Sequence, residues 1–564
     1  MSAYRQALRR RDLRLLFSGL LISDLGNWAY NVALLAYVFD HTHSLGWVGV
    51  AGLARFLPAL VLSAYAGVVA ERFERVRVLV FSDVACMALQ GLLAVAALAD
   101  GPPGVVVLLA GLSAVAGLVY NPAVSALIPQ VAGERELTAA NALNGTIENV
   151  TVMVGPAIGA GLLALGSPAF VFAVNAGSFA LSAVIVGRMH ARSRPVDVTQ
   201  AGESGPLAQM LVGAKTIVTS AAARVPVALC VLVSFVYGTD MVLFVGVSED
   251  RLGTGSQGFG VLLAGLGVGG LLAAAWVNGL ASSRRLAYVI TAGAALYCLP
   301  TALLTVIHAP GLAFALQLVR GAATLIVDVL AVTALQRAVP EETLARVFGV
   351  FFAFVLGAIS LGTLITPPVV HALGLNGGLL IMAFAPAVLA FACFPTLLRL
   401  DHAAADRLAE LAPRIAILER LGIFTAAPQA VLERLAAVCT VATFAAGQPI
   451  VREGEPADAL YVILEGAVDV TARGESGREH RLRSMGPETY FGEIGLLERI
   501  PRTATVTAQV PTRCYRIDGD EFLNALTTTP PARSLIEGAR SRLATSHPSR
   551  NLTYETPSSE VPVG

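Results

Sequence analysis

The chain carries Phe491-Gly492-Glu493-Ile494-Gly495-Leu496-Leu497 and, three residues on, Pro501-Arg502-Thr503-Ala504-Thr505-Val506. These residue types at this spacing suit a singly charged phosphate ester. A glycine opening a short helix leaves backbone N–H groups free to face an anion. Arg502 can fork two donors onto a phosphate. Glu493 can accept from a sugar hydroxyl, and Thr503 can donate to the phosphate or to a purine edge. A second set of groups lies inside long apolar runs, where charge is costly: Asp24, Arg55, Asp83, Glu148, Asp240, Arg320 and Asp328. Ionisable residues at membrane depth mark substrate or ion pathways. Asp24, Glu148 and Asp240 lie well inside their runs and are candidates for proton coupling, Asp24 and Asp240 being expected to line a cavity. Arg320 and Asp328, eight residues apart, are expected to face similar directions and to pair with other helices. Arg55 and Asp83, placed nearer the interface, are expected in structural salt bridges.

The elements that must hold these groups are legible in the composition. Of 564 residues, 55% are hydrophobic and only 14% charged, and the mean hydropathy is +0.69; a soluble chain is less apolar. The charge is concentrated after residue 400, so a membrane part precedes a soluble one. Apolar runs long enough to span a bilayer fall at about 14–39, 45–70, 77–99, 104–128, 141–165, 168–188, 225–247, 257–280, 286–307, 311–336, 346–371 and 376–399. Breaks between them alternate. One set carries Arg5 to Arg14, Arg72 to Arg77, Arg135, Arg188 to Lys215, Arg284 and Arg285, Arg337 and Arg399; the other is nearly free of cations, Arg251 excepted. Arginine collects on the cytoplasmic side of short loops, so both termini are expected inside. The longest break, about 189–224, divides the spans into halves of about 1–190 and 220–400. "LIPQVAGERELTAANALNG" before the fifth run resembles "LQRAVPEETLARVFGV" before the eleventh, as in transporters that bind substrate between paired halves.

From 401 a charged helical linker runs to about 440. Short alternating strands, punctuated by Gly and Pro, then predict a small β roll over 441–545. The tail 546–564, rich in Ser, Pro and Thr, is expected to be disordered. Net charge is zero, so nothing points to nucleic acid. The six cysteines are scattered singly, without metal or redox spacing. No phosphate loop, nucleophile–base pair or metal cluster speaks for an enzyme, and no cofactor is expected.

Three motifs resemble known families. Gly67-x-x-x-Glu71-Arg72-x-x-Arg75-x-Arg77 resembles the loop signature of the major facilitator superfamily, with Glu71 where Asp is usual. The resemblance implies a charge network of Gly67, Glu71, Arg72 and Arg75 that locks one gate. Gly155-Pro156-Ala157-Ile158-Gly159-Ala160-Gly161 resembles the Gly-Pro motif of its exporters. With "LISDLGNWAYNVALL" it resembles the branch of enterobactin and macrolide exporters. The cassette at 491–506, preceded by "GQPIVREGEPADALYVILEGAVDV", closely resembles cyclic-nucleotide-binding domains. That resemblance implies Arg502 on the phosphate, Glu493 on the ribose, Thr503 on phosphate or base, and main-chain contacts from Gly492, Ile494 and Ala504. Glu488 departs from the family, which often has Gly in that turn.

The expected fold is an α-helical membrane protein of twelve transmembrane helices in two six-helix halves, followed by an α+β domain with a β roll. The expected function is secondary active transport, a proton-coupled export of an amphipathic small molecule, regulated by cAMP in preference to cGMP. Two alternatives stand beside it: a membrane-anchored nucleotide sensor without transport, and a transporter whose soluble domain is only a structural or dimerising module. The expected partners are the lipid bilayer, the substrate and the nucleotide, with a homodimer left open. The expected location is the plasma membrane, multi-pass, in a bacterium the inner membrane.

Overall fold

The computed structural model describes residues 8–527 apart from 133–135, 192–205, 256–257, 276, 278–284, 340, 425–426, 428 and 474–478. Expectations for Arg135, Arg284 and the tail therefore lie outside the described residues. Two compact units are present, Met1–Asp401 and His402–Gly564.

The first unit is helical. Among the described residues, nine helices have the length and composition to cross a membrane. The other predicted runs are there too. The first, made more polar by Asp24, is the helix Arg11–Thr42, and the eighth is the shorter Gly258–Ala274. The last two share one helical stretch, Glu341–Arg420, broken at Gly374 (φ 71°, ψ 170°). Large apolar side chains such as Leu165, Phe81 and Leu98 are exposed on its surface. A water-facing surface would not carry so many, and lipid needs them.

Charged and polar breaks gather at the two ends of the helices as the alternation predicts. At one end Arg10 pairs with Glu136 at 3.2 Å, and the Asp12 carboxylate accepts from the backbone N–H of His190 and Ala191 at 3.2 and 2.9 Å. At the other, the Tyr37 hydroxyl donates to the Gly101 carbonyl at 2.7 Å, and Arg251 donates to the Thr305 carbonyl and to Asn376. The helix Arg11–Thr42 packs along Leu137–Leu165 and Pro168–Gly187, and Gly258–Ala274 packs along Pro310–Ala338 while also meeting Leu137–Leu165 of the first half. Gly159 allows one of these close approaches, since a methyl group there would run into the Ala29 carbonyl oxygen.

The second unit is a roll of two four-stranded antiparallel sheets with orders β1-β8-β3-β6 and β2-β7-β4-β5. The strands are β1 Thr440–Phe444, β2 Pro449–Val451, β3 Ala459–Glu465, β4 Val468–Arg473, β5 Glu479–Met485, β6 Tyr490–Phe491, β7 Thr505–Ala508 and β8 Thr512–Asp518. Alternation sets their faces: in β4, Val468, Val470 and Ala472 are buried while Asp469, Thr471 and Arg473 are not. Short helices Gln429–Val438 and Gly519–Thr527 flank the roll, where Phe424 meets Phe522 edge to face at 6.2 Å. β6 pairs with β3 through Tyr461 opposite Phe491, their rings stacked at 5.2 Å. That pairing hangs the segment beginning at Gly492 from the central strand.

Candidate functional site

Gly492 follows β6 in the left-handed region (φ 93°) and caps the six-residue helix Glu493–Glu498 with no side-chain hydrogen bond. Its missing side chain is required twice. An L residue pays about 1–2 kcal/mol for this backbone, and a Cβ would lie 2.5 Å from Nη1 of Arg502 and 2.9 Å from the Ala459 carbonyl oxygen. The Arg502 main chain is held by the loop after β2. Its N–H donates to the Glu455 carbonyl at 2.8 Å, and its carbonyl accepts from Gly454 at 2.9 Å. The buried guanidinium, 4% exposed, then donates to the Gly492 carbonyl at 3.0 Å, to Asp458 at 2.8 Å and to the Ala459 carbonyl at 2.8 Å. A guanidinium has five N–H donors. Among the described contacts three are used, which leaves two for an incoming anion. Glu493 is also buried, 2% exposed, beside half-buried Ile494, Thr503 and Ala504. The structure thus brings Gly492 and Arg502 into contact, with Glu493, Ile494, Thr503 and Ala504 next to them along the chain. Gly492→Ala is expected to displace the guanidinium and lower cyclic-nucleotide affinity at least tenfold by titration calorimetry; unchanged affinity would mean that Arg502 does not need this seat.

Two neighbours of the cassette carry more than their sequence positions suggest. Asp458 is shared, accepting from Arg502 and, at 2.9 Å, from Arg516. Burial pushes its carboxyl up, but the hydrogen bonds from Arg516 and Arg502 and the charge of Arg502 outweigh that and hold it below the ordinary carboxylate range. Its contribution to stability is therefore complete at neutral pH and is lost only as pH falls below about 4. Nothing local in the sequence marks Asp458 as the arginine's seat, because its two partners lie in the cassette and in β8. Glu488 adopts φ 62°, a strained conformation for a residue with a Cβ. Its carboxylate accepts from Arg420 at 2.6 Å.

In the first unit the ionisable groups are distributed differently from expectation. Asp240 is not among the residues that line the cavity between the halves. It is fully buried and takes two hydrogen bonds from Nη2 of Arg320, at 3.0 and 2.8 Å. Arg320 also donates to the Tyr297 carbonyl and to Gln317, at 2.7 and 2.8 Å, and the Tyr297 hydroxyl donates to Asp240 at 3.1 Å. The physical reason is desolvation: two charges this deep persist only when each satisfies the other. Arg55 and Asp83 make no ion pair among the described residues. Arg55 donates to the Asn27 carbonyl at 3.1 Å and sits 5.0 to 5.6 Å from the rings of Trp28, Tyr30 and Phe56, whose quadrupoles attract the guanidinium. Asp83, fully buried, accepts from Ser182 at 2.7 Å.

A cavity of about 260 Å³ opens between the two halves. Its walls include Trp28, Met153, Tyr237, Tyr297, Thr324 and Asp328. Asp24 and Glu148 are half-buried but are not among its lining residues, and Glu148 accepts from Asn144 at 2.8 Å. In the loop signature, Arg72 is exposed and Arg75 is buried, while Glu74 pairs with Arg77 at 3.3 Å. The surroundings of Gly67 and the side chain of Glu71 lie outside what the structure describes. Tyr297 and Gln317 escaped the sequence reading because a lone polar group in an apolar run gives no signal of its own.

Comparison with known proteins agrees with both units. The model of the Major Facilitator Superfamily matches residues 16–358, and that of the cyclic nucleotide-binding domain matches 441–529. The chain is 33% identical over 114 residues to a CRP-like cAMP-activated global transcriptional regulator of Mycobacterium tuberculosis, covering 20% of this chain and 51% of that one. It is 43% identical over 82 residues to a cAMP-dependent protein kinase regulatory subunit of Dictyostelium discoideum, covering 14% and 25%. It therefore spans about half or less of these curated relatives. Among solved structures, the N-terminal domain of a transcriptional regulator from Streptomyces coelicolor matches at 31% identity and a TM-score of 0.20, covering 22% of this chain and 90% of that one. The chain belongs to the Major Facilitator Superfamily and carries a cyclic nucleotide-binding domain in its C-terminal part.

Proposed function

We propose that this protein is a secondary active transporter, a proton-coupled exporter of an amphipathic small molecule, whose rate is set by cyclic nucleotide, cAMP in preference to cGMP. The observation that carries the reading is the pairing, in one chain, of a cavity between two helical halves with a buried Arg502 that keeps two donors unused among the described residues. The cavity supplies a place for substrate; the arginine supplies a seat for a phosphate diester, with Glu493 for the ribose. Two relatives named for cAMP over the matching segment favour that nucleotide. Asp328, Asp24 and Glu148 are the carboxylates proposed to carry the coupling proton, with Asp240 and Arg320 as the buried pair that braces them. Gly67, Glu71, Arg72 and Arg75 form the proposed gate network. The run of arginines in alternate breaks favours cytoplasmic termini, as expected for the inner membrane of a bacterium.

The test is flux in proteoliposomes under a proton gradient, titrated with cAMP and cGMP. A ligand shifts a gate only by its differential affinity for the two states, typically 5- to 150-fold. Wild-type flux is expected to change within that range on adding cAMP, and Arg502→Ala flux is expected not to respond. Equal response of the two proteins would remove the regulatory reading.

A further inference from the structure

We infer that the cavity between the halves takes an organic monocation with a compact apolar body, and that Asp328 is its counter-ion; the inference rests on the transport reading and names its substrate class. The wall holds one carboxylate, Asp328, and no Lys, Arg or His side chain among the described residues. Asp328 has no hydrogen-bond or ion-pair partner among the described residues. Two cations lie behind the wall: Arg55, 5.2 Å from the ring of Trp28, and Arg320, beside Tyr297. The Arg320 guanidinium is fully buried and already committed to Asp240, Gln317 and the Tyr297 carbonyl. The two charges of that pair cancel, and Arg55 stands against the Trp28 ring without being part of the wall, so among the described residues Asp328 is the one charged side chain that a ligand in the cavity touches.

The remainder of the wall decides what accompanies the positive charge. Trp28, Tyr237 and Tyr297 bring aromatic surface, and Met153 brings a polarisable thioether; apart from Thr324 and Ser234 the rest is aliphatic or glycine. Aromatic rings attract quaternary and protonated amines more strongly once water is removed. An apolar wall with few, convergent polar groups is the usual make-up of a small-molecule site. A carboxylate here is costly unless neutralised, and two species can neutralise it, a proton or an organic cation. One site that accepts either, but not both, exchanges one for the other with charge balanced. An organic anion would have to enter against the Asp328 charge with no basic group among the described wall residues to receive it.

The test uses three phenylbutyl probes of equal length on the full-length protein in detergent. One bears trimethylammonium, the second the neutral tert-butyl isostere, the third a carboxylate. The quaternary nitrogen holds its charge at every pH and donates no hydrogen bond, so the comparison isolates charge. By calorimetry, the ammonium is expected to bind at least tenfold more tightly than either counterpart. Asp328→Asn is expected to bring it down to the level of the neutral isostere, and Asp328→Glu to retain it. Equal binding of the neutral probe, or tighter binding of the carboxylate, overturns the inference using wild-type protein alone, with no variant required to fold. Binding is read apart from flux. Ammonium that binds through Asp328 yet is not moved by a proton gradient would leave the site assignment standing and count against export.

Discussion

Replacing Arg502 by alanine is expected to weaken cyclic-nucleotide binding by a hundredfold or more. Two charge-assisted hydrogen bonds to a phosphate diester are lost, each worth about 1.5–3 kcal/mol, and every 1.4 kcal/mol is tenfold in Kd. The substitution has a second effect. The Gly492 and Ala459 carbonyls and the Asp458 carboxylate lose a donor, so part of the loss reflects a loosened cassette. Arg502→Lys separates the two contributions. Lysine keeps the charge but not the planar fork, so its affinity should fall between wild type and alanine. Calorimetry with cAMP on the full-length protein, paired with thermal unfolding of each variant, checks both effects. An alanine variant that binds as the wild type does would remove Arg502 from the site.

Breaking the pair between Asp240 and Arg320 is expected to be the most destabilising single change in the membrane unit. Both side chains are fully buried. Arg320→Met leaves a buried carboxylate whose remaining donor is the Tyr297 hydroxyl, and Asp240→Leu leaves a guanidinium with only a carbonyl and an amide. Removing one member of a buried pair typically costs about 3–5 kcal/mol, whereas replacing both by apolar groups of similar volume is often neutral. The double variant is therefore expected to be more stable than either single one, with a coupling of several kcal/mol in the double-mutant cycle. Thermal unfolding in detergent measures it. If the two single losses simply add in the double variant, the pair is not what holds these helices.

That the pair exists at all was half visible in the sequence. Arg320 and Asp328 share a helix and were expected to face alike. Eight residues at 100° each place them about 80° apart around the axis, and this is enough to send them to different walls. Arg320 turns to Asp240 and Tyr297; Asp328 opens to the cavity. Likewise Asp240 and Arg320 are 80 residues apart, a separation over which periodicity says nothing about which faces meet.

The local features were legible because their causes are local. Span length follows from bilayer thickness, so runs of apolar residues reveal the helices; the strands of the roll follow from alternation and glycine placement. The cassette is contiguous, so Gly492, Glu493, Arg502 and Thr503 could be assigned their chemistry before any fold was known. Glu488 was marked as unusual in its turn, and the structure adds a partner for it, the exposed Arg420. Tertiary structure alone decided which buried charges cancel, which carboxylate stands in the cavity wall, and that Asp458 seats the key arginine. Each of these depends on distant segments meeting, and the energy of a charge in a low-dielectric interior is set by what it meets, not by its neighbours along the chain.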